Sequence, residues 1–239
     1  VITELSKQQI HYLAKLRMKK YRLSEKKVII EGRRSLEQLA QWGVYAEELY
    51  VVAPEAALKA TTVFAASKEA LWRICDSEHP AAIAGLFPLP ESREIDFRLA
   101  FYLDGISDPG NLGTIFRIAA AFNINCIILS PQCCEVSSPK VIRASLGAVY
   151  HVPFRVSTPE ELKGEGAEIV FLDMNGRTKL QDFVPGEKPT IVAFGSEAHG
   201  LSPELKAIAG NSLQIEMKGE MESLNAAICA GIVAYQMSN

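Results

Sequence analysis

"LAFYLDGISDPGNLGTIFRIAAAFN", residues 99–123, decides the fold class. "LAFYLDGI" is an apolar run of strand length, and "NLGTIFRIAAAFN" places apolar residues at helical spacing around a single charge, Arg117. A strand, a glycine-bearing turn and a helix make the corner at which α/β proteins bind nucleotides. The GxGxxG fingerprint is missing from this turn and from every other βα turn of the chain, which argues against a dinucleotide oxidoreductase. Asn111 and Arg117 stand where glycines would be expected.

The alternation continues on both sides of this corner. After it, "CIILS", "EIVFLDM", "TIVAFGS" and "SLQIEM" read as strands, the last ending near Met217. "PKVIRASLGA", "PEELKGEG", "SPELKAIAG" and "SLNAAICAGIVAYQM" read as helices. Near-continuous apolar strands alternating with helices predict a mostly parallel sheet covered on both faces. Upstream, the proline-bearing, charged stretch "LFPLPESREIDFR" (residues 86–98) marks a boundary. Before it, a basic helix over about 6–20 leads into "KKVIIEG", "RRSLEQLAQWG", "EELYVV", "PEAALKA", "TTVFAAS", "SKEALWRIC" and "AAIAGLF", again strands alternating with helices. The fold class is therefore α/β, with a small domain over residues 1–90 and a larger one over 97–239.

At 239 residues, 48% hydrophobic and 22% charged, the chain can bury two ordinary cores. No apolar run reaches membrane-spanning length, and the first residues hold no apolar signal core. Five cysteines without a CxxC pair predict neither a disulfide framework nor a zinc site and fit a reducing cytoplasm. The net charge of -3 hides an asymmetry. Residues 1–34 carry ten Lys/Arg against three Glu, so the remainder carries the acidic excess. Such a distribution describes either a polyanion-facing arm on a neutral-to-acidic body or a well-solvated helix.

Three strand ends carry polar groups that a core does not need. If the first helix starts near Asn111, that residue caps it. Arg117 then lies one turn past Gly113 on the same face, leaning back toward the mouth of the site. In "TIVAFGSEAHGLSPEL", capping accounts for Ser202 and Pro203 but leaves Glu197, just past Gly195, unexplained. His199 reads as a loop residue. In "LQIEMKGEMESLNAAICAGIVAY", Ser223 reads as the cap of a buried helix and Asn225 as a polar group in its first turn. A helix N-terminus of this kind suits a developing negative oxygen.

"DPGNLGTIFR", "IVAFGSEAHGLS" and "LQIEMKGEMESLNAAICAG" resemble, in order and context, the three motifs of the SpoU branch of the SPOUT RNA methyltransferases. The resemblance covers roughly residues 99–239. The first domain resembles the ribosomal-protein-like RNA-binding domain of many members. This resemblance implies methyl transfer from S-adenosylmethionine to a ribose 2′-hydroxyl of structured RNA, a homodimer, and a C-terminal trefoil knot. It gives catalytic roles to Asn111, Arg117, Glu197, Ser223 and Asn225, and cofactor contacts to Gly195, Ile215 and Leu224. It offers Lys140, Arg143 and Ser145 as RNA or dimer contacts, and no metal.

The family's proposed base is the arginine at the position of Arg117. A guanidinium rarely gives up its proton, so our physical reading gives Arg117 the target phosphate and the developing alkoxide. Asn111 would orient Arg117 or the ribose, Glu197 would fix Arg117 or its loop, and Ser223 and Asn225 would hold the acceptor side. Large-subunit ribosomal RNA is favoured over transfer RNA by family analogy. A non-catalytic RNA-binding protein on the same fold is the rival, and it predicts lost motif residues where all are present.

Overall fold

The computed structural model describes residues 3–53, 58–196, 199–221 and 223–238. It forms two compact units, residues 1–90 with 135–151, and residues 91–134 with 152–239. The stretch 135–151, which the sequence division put in the second domain, therefore belongs to the first unit.

The first unit runs β1 (Thr3–Glu4), α1 (Lys7–Lys15), α2 (Lys19–Glu25), β2 (Lys27–Glu31), α3 (Arg33–Gln41), β3 (Ala46–Val51), β4 (Ala60–Ala65), α4 (Lys68–Ile74) and β5 (Ile83–Pro88). Its sheet has the order β1-β4-β3-β5-β2, with β5 antiparallel to both neighbours and the other pairs parallel. Leu13, Leu16, Tyr50, Leu71, Ile74 and Leu86 form its core. The helix expected at 54–60 falls largely on residues 54–57, which lie outside the described residues.

The single basic helix expected over 6–20 is two helices, because the chain turns at Leu16–Met18, where Met18 is extended. Arg22 accounts for the break. Its Nη1 donates to the carbonyls of Leu16 (3.2 Å) and Arg17 (2.8 Å), groups that the end of α1 leaves without helical partners. Its Nε and Nη2 grip Glu135 bidentately at 3.3 and 2.9 Å, with the arginine only 4% exposed.

The second unit contains β6 (Leu99–Asp104), α5 (Pro109–Ala121), β7 (Cys126–Leu129), β8 (Phe154–Val156), α7 (Pro159–Leu162), β9 (Glu168–Leu172), β10 (Thr178–Lys179), β11 (Thr190–Gly195), α8 (Pro203–Ile208), β12 (Asn211–Gln214) and α9 (Ala226–Met237). The short helix α6 (Pro139–Ala144) lies in the first unit. All seven strands are parallel, in the order β10-β12-β9-β11-β6-β7-β8. Ala100, Tyr102, Ile128, Ile191 and Ala193 pack against Leu162 of α7 and Leu205 of α8. On the opposite face α5 and α9 lie against each other and against β7 and β11. Both faces are thus covered, which is why the strands read as unbroken apolar runs.

The chain leaves β6 toward β7 on one side and leaves β11 toward β12 on the other. The carboxyl ends of β6 and β11, paired through Asp104 and Gly195, therefore form the topological switch point of the sheet. Among the described residues no helix is long and apolar enough to cross a membrane.

Candidate active site

The loops at this switch point are held from below. Asp104, 7% exposed, accepts a hydrogen bond from the Ser202 backbone N–H at 2.7 Å. Sequence reasoning passed over this residue, whose only signal was an acid closing an apolar strand. Ser202 in turn caps α8. Ser196 and Gly200 exchange backbone hydrogen bonds at 3.1 and 2.8 Å, so the loop folds back on the strand end. Gly195 makes this possible. A Cβ there would stand 2.3 Å from the Gly200 carbonyl carbon and 2.5 Å from the Leu201 nitrogen. On the next strand pair, Gly176 passes equally close to β12, where a Cβ would meet the Leu213 carbonyl carbon at 2.5 Å.

These loops line an open cavity of about 360 Å³. Its wall includes Phe194, Gly195 and Leu201 from the end of β11, Ile215 and Met217 after β12, and Ser223 and Leu224 before α9. The three residues expected around a cofactor, Gly195, Ile215 and Leu224, therefore share one cavity. Strand β12 ends at Gln214 and not near Met217. That early end frees Ile215 and Met217 to face the cavity instead of the sheet. Asp173 and Lys206 supply charge at the wall, and Cys229 lines it with a thiol whose pKa burial pushes up.

The helix caps differ from expectation. Asp108, not Asn111, is the N-cap of α5 and accepts from the Asn111 N–H at 2.8 Å. Asn225, not Ser223, caps α9, its Oδ1 accepting from Ala227 (2.9 Å) and Ile228 (3.3 Å). This leaves each asparagine side chain a second task. Asn225 Nδ2 donates to Asn111 Oδ1 at 2.9 Å, joining the N-terminal ends of α5 and α9. The same two helices meet again at their far ends, where Phe122 and Tyr235 stack edge to face. Since Leu224 and Ala226 line the cavity, the amide pair sits at its edge.

Gly113 is buried in α5, whereas Arg117, four residues on, is exposed and its side chain makes no hydrogen bond or ion pair among the described residues. Ser223 is exposed at the cavity wall. Glu197 lies outside the described residues. Within the first unit, Arg143 pairs with Glu31 at 2.9 Å with its own side chain 38% exposed, and Ser145 is buried with its hydroxyl on the Ile142 carbonyl. No group of three or more His, Cys, Asp or Glu side chains suited to a metal occurs among the described residues.

Comparison with known proteins agrees with this geometry. Residues 98–235 match the SpoU rRNA methylase family, and residues 7–85 match an MRM3-like substrate binding domain. The chain is 26% identical to the 23S rRNA (guanosine(2553)-2′-O)-methyltransferase RlmP of Bacillus subtilis, across 99% of this chain and 98% of that protein. It resembles the crystal structure of an S-adenosylmethionine-bound rRNA methyltransferase from Sinorhizobium meliloti, with a TM-score of 0.82 at 25% identity over 98% and 95% of the two chains. An RNA 2′-O ribose methyltransferase structure gives 0.81 at 27% identity over 98% and 96%. A two-unit α/β chain with a parallel second sheet, a cavity at its switch point and a family match across more than half its length belongs to the SpoU rRNA methylase family.

Proposed function

We propose that this chain methylates a ribose 2′-hydroxyl of large-subunit ribosomal RNA in the cytoplasm, with S-adenosylmethionine as the methyl donor. The observation that carries this reading is the Asn111–Asn225 amide pair at the edge of the switch-point cavity. The lining suits the donor. Phe194, Leu201, Ile215 and Leu224 offer apolar surface for adenine, the strand ends offer main-chain groups for its edge, and Asp173 offers a carboxylate to its positive charge. When bound, S-adenosylmethionine supplies an electrophilic methyl group.

The chain's own residues must position the ribose and hold charge that develops on its oxygen. Positioning can remove several kcal/mol of barrier, roughly 7–11 in favourable cases. The amide pair fixes the ends of α5 and α9, whose positive dipole ends favour a developing negative oxygen. Arg117, exposed and without a partner among the described residues, is available to a phosphate and to the alkoxide. The first unit supplies affinity. Four of its basic residues are already paired, Arg22 with Glu135, Lys27 with Glu47, Arg33 with Glu37 and Arg143 with Glu31. Lys7, Arg17, Lys19, Lys20, Lys26 and Arg34 remain exposed to meet phosphates.

The chain is further proposed to act as a homodimer. Ile228, Ile232 and Tyr235 form an exposed apolar stripe on α9, at 55%, 36% and 64% exposure. The expected trefoil knot is carried into this proposal by family membership.

The test is incubation with methyl-labelled S-adenosylmethionine and unmodified ribosomal or transfer RNA, with Asn111→Ala as control. Alkali-resistant 2′-O-methyl label in ribosomal RNA, lost in the variant, is the expected result. Label in transfer RNA alone would overturn the substrate assignment. Cofactor binding without label in either would move the substrate to an assembly intermediate. Absence of cofactor binding would leave a non-catalytic RNA-binding protein.

A further inference from the structure

We infer that the first unit carries a separate site for one unpaired nucleobase of the RNA, built on Trp72. The inference rests on the proposed function for its RNA and adds where that RNA is read. Helix α4 turns Ala70, Leu71 and Ile74 into the core and leaves Trp72 on its outer side, 60% exposed. Among the described residues this indole has no ring contact and no hydrogen bond, so packing does not explain it. It forms one wall of a cavity of about 450 Å³ whose floor is Val52 and Leu71.

The rim of this cavity matches a nucleotide in two respects. Lys68 lies one helical turn before Trp72, and His79, in the loop 78–82, lines the same cavity. Helix α4 packs on α1, which bears Lys7 and leads to the exposed Arg17, Lys19 and Lys20. Cations that track a backbone beside an aromatic face that takes a base are the combination used for single-stranded RNA. The remaining rim groups, Glu69 and Glu78, accept hydrogen bonds and cannot donate them when ionised. The Glu69 carboxyl is held below its usual range by its own backbone N–H and by the Ser67 hydroxyl. Acceptor-only carboxylates select a base with N–H groups on its edge, and guanine offers two side by side to the two oxygens of one carboxylate.

The site is tested with the full chain and four labelled RNA pentamers, one for each base, by fluorescence anisotropy at several salt concentrations. The G-rich pentamer should bind tightest. Trp72→Ala should weaken it roughly 5- to 150-fold, the range of one lost base stack, while Trp72→Phe keeps most of the affinity. The slope of log Kd against log salt should not change in Trp72→Ala but should fall by about 0.7 in Lys68→Ala. The melting temperature should stay at the wild-type value in Trp72→Ala, since the indole is outside the core. Equal binding by wild type and Trp72→Ala, in a protein that still methylates RNA, overturns this site and leaves the proposed function standing. A wild-type chain that neither binds any pentamer nor methylates RNA overturns both.

Discussion

Replacing Gly195 by alanine tests whether the loop after β11 is part of the cofactor's cradle. The new methyl would sit 2.3 Å from the Gly200 carbonyl carbon, 2.5 Å from the Leu201 nitrogen and 2.6 Å from the Gly200 oxygen. All three are backbone atoms, so no side chain can swing aside, and the loop must retreat by about 1 Å or more to reach ordinary contact. That movement breaks the two Ser196–Gly200 hydrogen bonds and pulls Ser202 from Asp104. Two neutral hydrogen bonds and one to a carboxylate amount to about 4 kcal/mol, roughly a 10 °C fall in melting temperature for a chain of this size. Calorimetric titration should show S-adenosylmethionine affinity reduced at least about 30-fold, because Gly195, Gly200 and Leu201 all line the cavity.

Gly200→Ala is the matched control. Gly200 has φ +65° but nothing within 4 Å of its Cβ position, so only backbone strain of about 1–2 kcal/mol is expected, with much weaker loss of binding. Gly195→Ala protein that binds S-adenosylmethionine within twofold of wild type and melts at the same temperature would refute the reasoning.

Asn225→Asp keeps the acceptor that caps α9 but loses the donor to Asn111. Methyl transfer should therefore collapse with little change in melting temperature, whereas Asn225→Ala should also cost about 1 kcal/mol in denaturant titration. Arg117→Lys retains charge and loses the planar fork, so single-turnover methyl transfer should fall at least about tenfold while cofactor affinity holds; near-normal turnover would show that bidentate geometry is unimportant. Glu135→Ala strands the buried Arg22 and should destabilise the first unit by about 3–5 kcal/mol, and pairing it with Arg22→Met should recover only part of that loss, because the Leu16 and Arg17 carbonyls then lose their donor. Burial pushes the Cys75 thiol up to about 12, against about 8.5 in an unfolded chain. The folded state therefore holds more protons above pH 8.5, its stability falls as pH rises through that range, and Cys75→Ala should flatten the decline of melting temperature between pH 8 and 10.

The strands β6, β7, β9 and β11 were legible because burial on both faces makes each an unbroken apolar run with few competing readings. Strand β8 was not, since three residues at a sheet edge carry too little pattern to stand out. Strand β12 was read three residues too long because Ile215 and Met217 are as apolar as strand residues, although they line a cavity. The site residues could be named, but their local duties could not. Asp, Asn and Ser cap helices almost equally well, so composition does not distinguish Asp108 from Asn111 or Ser223 from Asn225. Asp104 escaped notice because its partner, Ser202, is remote in sequence. The break between α1 and α2 depends on Arg22 reaching back to two carbonyls, which helical periodicity does not record.

The return of residues 135–151 to the first unit bears on how the chain is synthesised and how its genes can recombine. A ribosome that has released residues 1–90 has not yet made Glu135 for Arg22, Arg143 for Glu31, or Tyr150, whose hydroxyl donates to the Pro88 carbonyl at 2.7 Å. Leu39 also waits for Gly147, where a Cβ would lie 2.7 Å from Leu39 Cδ2. The first unit can therefore complete its packing only after β6, α5 and β7 of the second have been translated. A crossover within residues 86–98 would separate Arg22 and Glu31 from the charges that neutralise them. The exchangeable cassette is thus discontinuous, and any chimera between relatives has to transplant 135–151 together with 1–90.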